Sequence, residues 1–229
     1  MTNQQRVGAV IAAAGSSRRM DGVDKILAPL DGKPILARVI DAFEGCGEVD
    51  RIVIVASEQN LKRCQQLVKE HNWPRVAGVW PGGERRQDSV MVGLGHLDNC
   101  HWVVIHDGAR PLVTADLISH GLAAATETGA ATSAVPVTDT IKLAGDDHII
   151  RETLPRHKLW AVQTPQVFRL DIIAGAYRQE AEAEVTDDAS LVERAGYRVK
   201  LYMGAYENIK VTTPQDLALA EVLLRKRGK

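Results

Sequence analysis

Three groups of residues have the types and spacing for anion chemistry. The stretch Ile11 to Lys25 joins small residues, Ala12-Ala13-Ala14-Gly15, to the cations Arg18, Arg19 and Lys25. Small side chains let backbone N–H groups approach an anion closely, and guanidinium and ammonium groups neutralise charge that peptide groups alone could not. A second glycine-rich segment, Gly82-Gly83-Glu84-Arg85-Arg86-Gln87-Asp88-Ser89, leads into a helical pattern whose first N–H groups need partners, a natural place for a base or a phosphate. Asp107 closes an apolar run, Trp102 to His106, ahead of Gly108-Ala109-Arg110-Pro111; a carboxylate there can take the Mg²⁺ that bridges phosphate oxygens. Each group also has a purely structural reading, as a core strand running into a solvated loop, a turn, or a cap.

The phosphate grip differs from the two familiar ones. The first turn lacks the glycines of the dinucleotide fingerprint, which disfavours a nicotinamide-dependent dehydrogenase, and Gly-Lys-Ser/Thr of a Walker loop occurs nowhere in the chain. With 28 Lys plus Arg against 29 Asp plus Glu, there is no general electrostatic footprint for nucleic acid, so anion binding must be local. Cys46, Cys64 and Cys100 are odd in number and widely spaced, which suggests buried free thiols rather than disulfides or a zinc site. No apolar run approaches the length of a membrane span, and the start of the chain has no apolar signal core, so a cytoplasmic location is expected.

The elements that must position these residues alternate. Apolar runs at Val7–Ala14, Ile52–Ala56, Ala77–Trp80, Trp102–His106, Ala130–Val137 and Val199–Met203 read as strands, with Leu27–Leu30 as a short one. Helices are expected from Pro34 to Gly45, Leu61 to His71, Ser89 to Leu97 (capped by Ser89 or Asp88), Leu117 to Thr126, Leu170 to Glu180, Asp187 to Ala195 and Pro214 to Lys226. Such alternation predicts an α/β protein: a Rossmann-like, doubly wound, mostly parallel sheet in a single domain over residues 1–229. Ligands bind at the carboxyl edge of such sheets, where Gly15, Gly83 and Asp107 would lie. His106 would face away from Asp107 and is read as structural.

Between 137 and 160 the pattern breaks into a hairpin, Thr140–Leu143 and His148–Thr153 around Gly145-Asp146-Asp147. It carries Ile141, Leu143, Ile149 and Ile150 without a core of its own, and suits either a dimer arm or an edge hairpin folded back on its sheet.

Seven motifs in order resemble the bacterial 2-C-methyl-D-erythritol 4-phosphate cytidylyltransferase family. They are Ala13 to Met20, Gly82 to Ser89, His106 to Pro111, Pro136 to Thr140, Leu159 to Gln166, Thr186 to Ser190 and Asn208 to Thr212, spanning nearly the whole chain. The resemblance implies a nucleotide-diphospho-sugar-transferase type of fold and a reaction joining CTP to a polyol phosphate. It implies that Ala13, Ala14, Gly15, Gly83, Glu84 and Ser89 hold the cytidine nucleotide, largely by backbone contacts, that Arg19 and Lys25 meet its phosphates, and that Asp107 binds Mg²⁺ beside both substrates. Arg110, Thr164, Thr186 and Lys210 would line the second substrate's site, with Arg19, Lys25 and Lys210 catalytic. A β-arm crossing to a partner would make a homodimer in which Thr140 and Arg156 serve the neighbour's polyol phosphate. A ribitol-5-phosphate cytidylyltransferase and a nucleotide-binding regulator without turnover are the alternatives. Asp24 stands where the family usually has Pro, which puts the role of Lys25 in question; Ile26 replaces a common Gln, and Glu84 a common Asp.

Overall fold

The computed structural model describes residues 5–15, 24–180 and 184–227. β1 (Val7–Ala13) is followed by a two-residue ribbon, β2 (Pro29–Leu30) with β3 (Lys33–Pro34), and by α1 (Ile35–Glu44). Then come β4 (Arg51–Ala56), α2 (Glu58–His71), β5 (Val76–Pro81), α3 (Arg86–Leu94), β6 (Trp102–Asp107), α4 (Ala115–Ala125) and β7 (Ala130–Pro136). β8 (Lys142–Ala144) and β9 (Ile150–Thr153) form a hairpin; β10 (Trp160–Arg169), α5 (Leu170–Gln179), α6 (Asp188–Arg194), β11 (Lys200–Met203) and α7 (Pro214–Arg227) complete the chain.

Seven strands make the central sheet, in the order β11-β7-β10-β6-β1-β4-β5, and every pairing is parallel except those of β10. The expected mostly parallel sheet is present, with an antiparallel strand in its interior that the pattern of the sequence did not announce. The two faces follow from strand alternation. In β1, Val7, Ala9, Ile11 and Ala13 join the core layer that also holds buried residues of α1 and α4. Val10 and the partly buried Ala12 belong to the opposite layer, with residues of α3, α5 and α6. Near-continuous burial along β1, β4 and β6 is the mark of strands covered on both sides.

α3 begins three residues earlier than expected. Asp88 is not the residue before the helix but its third, and its carboxylate reaches back to accept the N–H of Arg85 at 3.0 Å. Arg86 thereby becomes the first residue of a helix rather than part of a loop. The hairpin β8–β9 is a separate two-stranded sheet whose strand residues are all exposed, with Leu143, Ile149 and Ile150 each more than half accessible. Among the described residues, no helix is long and apolar enough to cross a membrane.

Candidate functional site

β1 and β5 both end at the same edge of the sheet, and the loops that follow them touch. A Cβ on Gly82 would stand 2.5 Å from Ala14 Cβ and 2.6 Å from Ser89 Oγ, so only glycine permits this approach. The result is a cavity of about 410 Å³ lined by Ala13, Ala14, Gly15, Lys25, Gly83, Glu84 and Ser89, with Arg86, Asp107 and Lys210 at one side. Six residues expected to hold a nucleotide are thus together around one space. The Lys25 ammonium lies against Gly15, 3.5 Å from where a Cβ of that glycine would be. Both oxygens of Asp24 are engaged, one by the N–H of Ile26 at 3.1 Å and the other by the Asn60 amide, so the acidic neighbour ties the segment that carries Lys25 to α2. Arg18 and Arg19 lie outside the described residues.

Asp107, at the end of β6, is the electrostatic centre. Lys210 Nζ approaches its carboxylate at 2.9 Å, Arg86 Nε at 3.3 Å and Arg110 Nε at 3.4 Å. Burial alone would raise its pKa, but the charges of Arg86, Lys210 and Arg110 outweigh burial and hold the carboxyl well below the usual range. Arg86 is also bound to Asp188, Nη1 to Oδ2 at 2.8 Å, and the pull of the two carboxylates exceeds the opposite effect of its burial, so its pKa lies above the ordinary value.

His106 does face away from Asp107 and is wholly buried against Phe43, with ring centroids 5.4 Å apart. Burial lowers its pKa to about 4, so the ring is neutral near pH 7. Thr164 Oγ1 accepts the Asp107 N–H at 3.1 Å, which leaves the hydroxyl proton for His106 Nδ1 at 3.0 Å. The other nitrogen, Nε2–H, then donates to the Arg110 carbonyl at 3.2 Å. Thr164, expected at the second substrate, spends its hydroxyl on fixing the Asp107 backbone. Asn208 adds a brace, donating from Nδ2 to the Thr164 carbonyl at 2.8 Å while its own carbonyl accepts from Arg110 Nη1 at 2.8 Å.

A second cavity, of about 500 Å³, is lined by Arg110, Thr132, Gln163, Thr164, Thr186 and Asp187, and again by Arg86, Asp107 and Lys210. The two spaces therefore share a wall made of one carboxylate and two cations. Thr140 and Arg156 line neither; both are exposed at the base of the hairpin, where Arg156 Nη1 donates to the Thr138 carbonyl at 2.9 Å. Sequence reasoning gave no role to Arg86 or Asp188. Arg86 stands within the Gly82 to Ser89 motif, and an arginine four residues past Gly82 at a helix start was the available signal; nothing in the pattern pairs it with Asp188.

Among the described residues, no group of three or more His, Cys, Asp or Glu side chains gathers to hold a metal ion. Asp107, at the wall of both cavities, still suits Mg²⁺, which commonly takes one or two carboxylates and fills the rest of its shell with phosphate oxygens and water.

The family model described as "IspD: 2-C-methyl-D-erythritol 4-phosphate cytidylyltransferase" matches residues 7–226. A protein of Dehalococcoides mccartyi named 2-C-methyl-D-erythritol 4-phosphate cytidylyltransferase is 54% identical over 222 residues, 97% of each chain. One of the same name from Caldanaerobacter subterraneus is 46% identical over 96% of this chain and 99% of its own. The crystal structure of 4-diphosphocytidyl-2C-methyl-D-erythritol synthase from Anaerococcus prevotii superposes with a TM-score of 0.87 at 28% identity, covering 97% of this chain and 100% of that one.

Proposed function

Because the chain belongs to the 2-C-methyl-D-erythritol 4-phosphate cytidylyltransferase family, we infer that it is a nucleotidyltransferase joining CTP to 2-C-methyl-D-erythritol 4-phosphate. The products are 4-diphosphocytidyl-2-C-methyl-D-erythritol and pyrophosphate, a step of non-mevalonate isoprenoid biosynthesis. The observation that carries this reading is the wall of Arg86, Asp107 and Lys210 shared by two cavities, an arrangement that suits a nucleotide on one side and an acceptor on the other.

The chemistry follows from that arrangement. An oxygen of the polyol phosphate attacks the α-phosphorus of CTP; the new P–O bond forms as the bond to the bridging oxygen breaks, and pyrophosphate leaves with its electron pair. Two anions must meet, so catalysis consists of positioning and charge compensation. Lys25, beside Gly15, neutralises the nucleotide phosphates, and Arg19, which lies outside the described residues, does the same. Lys210 borders both cavities and can hold both reacting phosphates at once. Arg110 and Thr186 bind the acceptor, while Ala13, Ala14, Gly15, Gly83, Glu84 and Ser89 hold the nucleoside. Asp107 is the residue that would hold Mg²⁺, which when bound supplies further neutralisation of phosphate charge.

The exposed apolar hairpin supports a homodimer in which each arm lies on the other subunit and brings Thr140 and Arg156 to the partner's acceptor cavity. Buried unpaired thiols at Cys46, Cys64 and Cys100 accord with a reducing, cytoplasmic setting. Purified protein given CTP and Mg²⁺ is expected to release pyrophosphate with 2-C-methyl-D-erythritol 4-phosphate. Turnover with ribitol 5-phosphate and none with the methylerythritol compound would overturn the assignment.

A further inference from the structure

Arg86 is tied down from two sides. Asp188, 1% accessible, pairs with its Nη1 at 2.8 Å, and the other Asp188 oxygen accepts the buried Tyr177 hydroxyl at 2.6 Å. On its far side Arg86 Nε meets Asp107 at 3.3 Å. The chain Tyr177–Asp188–Arg86–Asp107 therefore runs from the core beneath α5 and α6 to the wall between the two cavities. Each link is on a regular element: Tyr177 on α5, Asp188 at the start of α6, Arg86 at the start of α3, and Asp107 at the end of β6.

A buried ion pair contributes little net stability, because desolvation consumes most of the Coulomb gain. Asp188 and Tyr177 line neither cavity, so no direct contact with a substrate accounts for a buried carboxylate at this point. What the pair does supply is direction. Arg86 carries donors that a free side chain would swing among solvent, Asp107 and bound phosphate; Asp188 sets a fixed, buried counter-charge at one end of its guanidinium while Nε meets Asp107.

We propose that Arg86 is a positioning residue, held by Asp188 and Tyr177, that fixes the Asp107 carboxylate between the two substrates and so sets the geometry of cytidylyl transfer. Arg110 and Lys210 also touch that carboxylate, but Arg110 is anchored to the Asn208 carbonyl and Lys210 projects from the same segment two residues on. Arg86 ties Asp107 to the helical layer of α3, α5 and α6 through Asp188. The inference rests on the transfer activity proposed above.

The test is a double-mutant cycle of Arg86→Gln and Asp188→Asn, with Tyr177→Phe alongside, measuring kcat, KM for each substrate, and Tm. Arg86→Gln alone strands a buried carboxylate and is expected to lower Tm as well as turnover. The double variant removes both charges and should recover most of the lost Tm, while its kcat stays down by about 10²-fold, the cost of roughly an ångström of misplacement at a reacting centre. Asp188→Asn is expected to lower kcat with KM for CTP near the wild-type value, and Tyr177→Phe to lower kcat in the same direction by a smaller factor. A double variant that turns over at the wild-type rate, or an Asp188→Asn protein whose Tm falls while kcat is unchanged, would show the pair to be structural only. Wild-type protein inactive in the same assay would instead remove the transfer reading itself.

Discussion

Lys210 illustrates how little a single residue type says and how much its surroundings add. Alone in sequence it is an ordinary surface lysine; in the structure its ammonium lies 2.9 Å from Asp107 and borders both cavities. Lys210→Ala is expected to reduce kcat by roughly 10²- to 10³-fold, as removal of one transition-state donor does elsewhere, with KM for CTP changing far less; steady-state kinetics check this. His106 gives a prediction for pH. Its pKa is about 4 in the fold against 6.5 ordinarily, so above pH 6.5 it is neutral in both folded and unfolded chains and its contribution to stability is fully present. As pH falls from 6.5 toward 4, the unfolded chain gains the proton first and stability declines, by about 3 kcal/mol at most. Denaturant titrations without substrate or metal should show this loss, and His106→Gln should flatten it. The structural role of His106 was legible from strand alternation. The commitment of the Thr164 hydroxyl was not, because it depends on a neighbour 57 positions away.

Among elements, the parallel strands were readable because burial on both faces leaves unbroken apolar runs. β10 was not. Its Gln163, Thr164, Pro165 and Gln166 interrupt any apolar pattern, and its register with β7 shifts between Val162 and Gln166. Those polar residues are buried because they serve the site: Gln166 accepts the Ala189 N–H and donates to Asp187, thereby seating α6. The start of α3 was misread for a related reason. Asp88 has the residue type of a cap, and only the return bond to Arg85 reveals it as the third residue of the helix. The contact between the loops after β1 and β5 makes a further prediction. Gly82→Ala places a methyl 2.5 Å from Ala14 Cβ and must push the two loops apart. CTP affinity, read by calorimetry, should fall by about 10-fold or more, the factor that 1.4 kcal/mol of lost contact represents, while acceptor binding changes little.

At the scale of the whole molecule, the sheet joins residues that the chain keeps far apart: Gly15, Arg86, Asp107, Thr164 and Lys210 converge on one edge. The hairpin does the opposite, carrying Leu143, Ile149 and Ile150 outward, each more than half accessible, with no layer of the described residues over its strands. Leu143→Asp together with Ile150→Asp is expected to turn the proposed dimer into a monomer in sedimentation analysis without a large change in Tm, since neither residue belongs to the core.

The arm exchange proposed above would link catalysis to the amount of enzyme present. If an arm completes its neighbour's acceptor cavity with Thr140 and Arg156, a lone subunit holds CTP but grips the polyol phosphate poorly. Specific activity then depends on protein concentration: dilution past the dimer's Kd raises KM for the acceptor and leaves nucleotide affinity where it was. Mixing subunits inactivated at Lys210 with subunits inactivated at Arg156 should restore turnover in the heterodimer, because one of its two sites regains every intact part.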